Sequence, residues 1–115
     1  MNNMRNKVQL VGNLGIAPEM KTLENGTKMA KMRMATNEVY TNQKGERVTE
    51  TEWHNIIAWG KTAELAERLL QKGSEIMVEG KLTHREFTGT DNVKRYFTEV
   101  VVADFLLLDK KQVAA

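Results

Sequence analysis

At 115 residues the chain fits one domain with a single core, and the absence of cysteine excludes disulfides, thiolate metal sites and thiol nucleophiles. Lys and Arg total 17 against 15 Asp and Glu, a net charge of +2 that is too small by itself to declare a nucleic-acid partner. The start, MNNMRNKVQLVGNLG, holds no apolar run long enough for a signal peptide or a membrane span, because Lys7, Gln9 and Asn13 interrupt it, so a soluble, cytoplasmic protein is expected.

Residues 6 to 14, NKVQLVGNL, alternate as a first strand, with Val8, Leu10 and Gly12 on one side and Lys7, Gln9, Val11 and Asn13 on the other. Gly15 and Pro18 break the run, and Asn25-Gly26 carries the left-handed tolerance that a hairpin turn needs. In the second strand, residues 28 to 36, Ala30, Met32 and Met34 share a face, so the methionines read as core. After Tyr40, TNQKGERVTET is polar and has no apolar period, which reads as a mobile loop.

The third strand is TEWHNIIAWGK, residues 51 to 61, where Trp53, Asn55, Ile57 and Trp59 point one way. The period then changes: over residues 62 to 72, Leu65 with Leu69 and Ala66 with Leu70 are four apart, which predicts a short helix with Thr62 as N-cap and Gly73 as C-cap. Residues 74 to 87 alternate again, with Ile76, Val78, Gly80 and Leu82 opposite Met77, Glu79, Lys81, Thr83, Arg85 and Phe87. The turn TGTDN leads to a β-branched closing strand, and KKQVAA has no pattern.

Three strands, a helix and two strands, with long loops after the second and fourth strands, predict an all-β fold with one short helix. The matching architecture is a five-stranded Greek-key barrel of the oligonucleotide-binding type, with the helix between strands three and four. A small sandwich or an SH3-like barrel fits the pattern as well. One domain is expected over 1–109, with a short disordered remnant at 110–115.

Reactive chemistry has little to stand on. His54 and His84 lie on separate strands without a metal-ligand spacing, Glu50 and Glu52 suit a solvated strand edge, and Gly12 and Gly15 precede no helix that could hold a phosphate. No enzyme, metal or cofactor is expected. Binding of unpaired bases does have material: flat side chains at Tyr40, Trp53, Trp59 and Phe87, with Lys61, Lys81 and Arg85 near them along the chain. Against this, Trp53, Ile57 and Trp59 are more apolar than His54, Ile56 and Ala58, so parity alone leans toward burying the tryptophans.

Taken in order, NKVQLVGNLG-x-x-PE, MATNEVY, TEWHNIIAWGK, LLQKGSEIMVEGKL and RYFTEVVV closely resemble the bacterial single-stranded DNA-binding protein family over roughly residues 5 to 108. The resemblance implies an oligonucleotide-binding fold, usually a homotetramer, that coats single strands in replication, recombination and repair without acting chemically on them. By position it sets the base-stacking aromatics at Tyr40, Trp53, Trp59 and Phe87, phosphate contacts at Lys61, Lys72, Arg85 and Arg95, and a subunit-assembly role at His54. Asn55 and Thr83 stand where relatives often carry arginine, and Glu86 where lysine is common; Lys31, Arg33 and Lys81 are the candidates to compensate.

Members of that family typically continue into a glycine-rich linker and an acidic tip that recruits replication and repair proteins. This chain stops at KKQVAA, so such partners are expected only of a longer form. The second functional reading is an adaptor of the primosomal replication-restart type, which shares the barrel and works mainly through protein partners; retention of all four stacking positions argues against it.

Overall fold

Six strands and one helix make up residues 4–108, the part of the chain that the computed structural model describes. They are β1 (Val8–Leu14), β2 (Glu19–Thr22), β3 (Lys28–Thr41), β4 (Arg47–Trp59), α1 (Gly60–Leu69), β5 (Glu75–Thr88) and β6 (Lys94–Leu107). The sheet order is β1-β5-β6-β4-β3-β2, and β1 also meets β3 at Asn13↔Ala35 and Leu14↔Met34. Five strands therefore close into a ring, with β2 outside it as the hairpin partner of β3. This is the expected barrel, its helix between the third and fourth barrel strands. The expected remnant at 110–115 and both ends of the domain drawn as 1–109 lie outside the described residues.

Alternation does most of the work. Ala30, Met32 and Met34 of β3, Ile56 and Ala58 of β4, Ile76 and Val78 of β5, and Val100 and Val102 of β6 are all buried in one cluster. Helix α1 packs against β3, β4 and β6 and adds Ala63, Ala66 and Leu70 to that cluster, closing one end of the barrel. The β5–β6 register shifts between Glu79 and Gly80, leaving Ala103 as the extra residue of a bulge. The bulge re-phases β6, so that Val100 and Val102 on one side of it and Phe105 and Leu107 on the other all turn toward the core.

Several expectations change. A sixth strand, β2, precedes the Asn25-Gly26 turn, where Gly26 takes φ +87° and the Asn25 side chain accepts from the Thr27 amide. The segment read as a mobile loop is mostly strand: β3 and β4 pair without interruption from Met29↔Trp59 to Thr41↔Arg47, so only Asn42 to Glu46 turn the chain. That arm was silent in the apolar pattern because neither of its faces is buried, and alternation reports burial rather than backbone pairing. Tyr40 to Glu50, Thr51 to Asn37 and the Asn42 side chain to the amides of Lys44 and Glu46 bind it with polar contacts instead. The β5–β6 connection is likewise a tight turn, closed by Gly89 N–H to Val93 O, rather than a long loop.

The helix also starts earlier than expected. It follows β4 directly at Gly60, where φ is +60°, so Thr62 lies in its first turn and is not the N-cap; Trp59 holds that position without a side-chain cap bond. Gly73 is not the C-cap either. Leu70 ends the helix, and Gly73, at φ +91°, turns the chain back so that its amide bonds to Leu14 O.

The β1–β3 seam depends on close approach. A Cβ at Gly12 would collide with the Ala35 carbonyl, which is backbone and cannot step aside. Gly12→Ala is expected to destabilise the fold by about 1–3 kcal/mol, the usual cost of overpacking, read from the urea unfolding midpoint. An unchanged midpoint would show that the seam opens freely.

Candidate nucleic-acid interface

With Met32, Ile56 and Val100 inside, registered neighbours of opposite parity lie outside the barrel. Across β3 and β4 these are Met29 with Trp59, Lys31 with Ile57, Arg33 with Asn55 and Ala35 with Trp53. The parallel β4–β6 pairing continues the row from Asn55 to Glu99 and from Ile57 to Val101. Across β6 and β5 it runs on through Val101 with Lys81, Glu99 with Thr83, Phe97 with Arg85 and Arg95 with Phe87. Trp53 and Trp59 therefore stand outside, 50% and 41% exposed, while Ile56 and Ala58 are fully buried. The lean of parity toward buried tryptophans is overturned: the small and aliphatic Ala58 and Ile56 fit the barrel interior, and two indoles do not.

Two adjoining hollows mark this face. The larger, about 880 Å³, is walled by the β2 residues Glu19, Met20 and Lys21 and floored by Ile57, Trp59, Val101, Lys31 and Lys81. A smaller one, about 370 Å³, is lined by Asn55, Phe87 and Phe97. Lys31, Arg85 and Glu99 border both. Among the described residues Lys31 and Lys81 have no carboxylate partner, so their charge is available to an anionic ligand. Trp53 lies outside both hollows, next to Gly15, with the Arg33 guanidinium 5.2 Å from its ring centroid.

Other expected site residues are engaged differently. Arg85 makes a two-pronged bond to Glu99, Nε to Oε1 at 2.8 Å and Nη2 to Oε2 at 2.9 Å. Arg95, opposite Phe87, is paired with Asp91 at 3.0 Å, and Glu86 sits on the reverse side of β5 with Lys94 at 3.6 Å. Lys61 is exposed in the first turn of α1 and Lys72 is exposed just beyond its end; neither lines the hollows. His54 points to the inner face, half-buried, its Nε2 2.9 Å from Thr36 Oγ1.

Two members of the face were not singled out from sequence. Phe97, 40% exposed, lies beside Phe87, and Glu99, 4% exposed, is a buried acid in the midst of the cations. The signal was there: once Val100 and Val102 are inside, Phe97, Glu99 and Val101 must be outside.

A model of the single-strand binding protein family matches residues 5–108. The chain is 38% identical to single-stranded DNA-binding protein 1 of Xylella fastidiosa over 108 residues, 93% of this chain and 79% of that protein. It is also 38% identical to the single-stranded DNA-binding protein of Xanthomonas campestris over 103 residues, 90% of this chain and 60% of that one. Among solved structures, an SSB complex with ssDNA from Plasmodium falciparum superimposes with a TM-score of 0.84 at 30% identity, covering 90% of this chain and 95% of that one. A deletion mutant of the single-stranded DNA binding protein from Thermus aquaticus does so with a TM-score of 0.80 at 27% identity, covering 92% and 51%.

Tyr40 stands apart from the other aromatics. By alternation it shares its side of the β3–β4 arm with Glu38 and Glu50, opposite to Arg33 and Trp53, and its hydroxyl donates to Glu50 Oε1 at 2.8 Å. That hydrogen bond, with desolvation and the charges of Glu50 and Glu38, raises the phenol above its ordinary value of 10.0. Because the folded value is the higher one, the contact favours folding below pH about 10 and loses that effect as pH climbs through the folded value. In a Tyr96→Phe background, ultraviolet titration should show a single phenol ionising above 10, and Glu50→Ala should bring it down. Coincident titrations with and without Glu50 would disprove the contact.

Proposed function

The chain belongs to the single-strand binding protein family, and from that membership we propose that it binds single-stranded DNA largely without regard to sequence. It does so without catalysis, coating exposed strands in replication, recombination and repair in the cytoplasm, at the nucleoid. The observation that supports this best is the outer face itself: indoles and phenyl rings left open to solvent on barrel strands, with Lys31 and Lys81 unpaired between them. A π-face accepts any base, and cations between the rings neutralise the backbone that joins the bases. Exposed rings of this size gathered on one face mark a binding surface.

Base stacking falls to Trp53, Trp59 and Phe87, with Phe97 added and Tyr40 serving from the arm. Lys31 and Lys81 are the principal phosphate contacts. Arg33 stacks on Trp53 and stiffens it, while Lys61, Lys72 and Arg95 meet the strand as it leaves the central face. The adaptor reading has no observation in its favour. No described helix is long and apolar enough to cross a membrane.

The working unit is a homotetramer. β1 bonds to β5 along Val8–Asn13 but to β3 only at Asn13 and Leu14, so its other edge from Val8 to Gly12 is unpaired among the described residues. Beside that edge Val11, Met77 and Leu106 stand in register on the outer face as an apolar row, and Val11 and Leu106 are exposed. An open edge and an apolar row are what a second copy can cover. His54 lies on the inner face and contributes from within its own subunit.

Oligo-thymidine should quench the tryptophan fluorescence strongly at low and at high salt, and duplex DNA should not. Trp59→Ala is expected to weaken binding by about 1–3 kcal/mol, and Lys81→Glu to weaken it and flatten its salt dependence by roughly one phosphate contact. Absence of binding at low salt would reject the function outright. For assembly, light scattering should give a tetramer, and Leu106→Glu should yield smaller species with the strand affinity per subunit retained; an intact tetramer would clear that row of the role.

A further inference from the structure

Arg85 and Glu99 are the one charged pair at the centre of the binding face. In the β5–β6 register Arg85 stands opposite Phe97, and Glu99 stands opposite Thr83. To reach Glu99 the arginine crosses the sheet diagonally, and it comes to lie where the hollow of Trp59 meets the hollow of Phe87 and Phe97. Two hydrogen bonds of 2.8 and 2.9 Å fix the plane of the guanidinium. The Arg85 side chain is 64% exposed, whereas that of Glu99 is 5% exposed.

This arrangement is poorly suited to holding a phosphate by charge. The pair sums to zero, so an approaching phosphate meets no net cation. To gain one it would have to free Arg85 and leave the Glu99 carboxylate buried and unpaired, the most unfavourable way to break such a pair. Thr83 Oγ1 donates to the Glu99 main-chain carbonyl, so the acid sits on a stretch of β6 tied to β5. What the pair does offer outward is a flat, immobilised π-surface between the Trp59 ring and the rings of Phe87 and Phe97.

Resting on the single-strand reading, we propose that Arg85 is a stacking plate for a base that bridges the Trp59 and Phe87–Phe97 hollows, and that Glu99 is its positioning residue. Guanidinium planes accept unstacked bases as aromatic rings do. Charge compensation by Glu99 suits Arg85 to that role, because it removes the competing attraction of phosphates that would draw the side chain off the sheet. A guanidinium already sits over a ring on this face, with Arg33 Cζ 5.2 Å from the Trp53 centroid. Phosphate neutralisation is left to Lys31 and Lys81.

The test is the salt dependence of oligo-thymidine affinity for the whole chain carrying Arg85→Lys, Glu99→Gln, or Arg85→Ala together with Glu99→Gln, a double variant that removes the plane and keeps the site neutral. Arg85→Lys and the charge-neutral double variant should both lose about tenfold in affinity at low and high salt alike, within the range known for removal of a stacking group, with the salt slope of the parent. Lysine keeps the charge and loses the plane, so parent-like binding by Arg85→Lys would overturn the proposal. So would a slope reduced by about 0.7, the mark of one lost phosphate contact on a single strand. Glu99→Gln should steepen the slope and lower the high-salt affinity, since it frees a cation and unfixes a plate; an unchanged slope and affinity would remove Glu99 from the role. If Glu99→Gln fails to fold, Arg85→Lys still decides. Failure of the parent itself to bind would instead reject the single-strand function.

Discussion

A β-strand presents two faces, and a closed barrel can bury only one of them. β4 is where that constraint bears hardest, because it is hydrogen-bonded on both sides, to β3 along its full length and to β6 at Asn55 to Ile57. Its inner set, Ile56 and Ala58, is small enough to share the interior with Met32, Met34, Ile76 and Val100. The outer set must therefore carry both tryptophans into solvent. Once that parity is set, the registers of β3, β6 and β5 distribute every other functional side chain, and a single exchange of faces on β4 would remove the interface and crowd the core together.

Charge on this face is managed locally rather than in bulk. A net +2 spread over 115 residues leaves little long-range attraction for a polyanion. The pairings of Arg85 with Glu99 and Arg95 with Asp91 compensate two arginines, while Lys31, Lys81 and Arg33 have no carboxylate partner among the described residues. The compensated ones are held in a defined geometry, while the free ones contribute field. A surface built this way depends more on ring contact and less on salt than its count of cations suggests.

The two ends of the barrel are finished by different means. On one, α1 inserts Ala63, Ala66 and Leu70 and shields the methionine-rich core. Beyond the other side of the sheet, the β3–β4 arm extends with neither face buried and is bound by cross-strand polar contacts such as Tyr40 with Glu50 and Thr51 with Asn37. Such an arm has backbone pairing without a core, and its local opening costs correspondingly less than that of the barrel strands.

Sequence alone determined the inner lining, because alternation at Ala30, Met32 and Met34 and at Ile76 and Val78 reflects a burial that each strand must satisfy locally. It determined the existence of the helix as well, and, through its motifs, the family. Three things waited for the tertiary structure. The arm over residues 41 to 51 has no apolar period because nothing covers it; the helix start at Gly60 is set by how β4 must turn onto the barrel end and not by a capping side chain. The physical reason for the face of Trp53 and Trp59 was the third: hydrophobicity ranked them for the interior, the family resemblance set them outside, and the closed ring, filled by Ile56 and Ala58, shows why. Glu99 belongs with these: an isolated acid in a β-branched run reads as surface, and it becomes the partner of Arg85 only when β5 and β6 align.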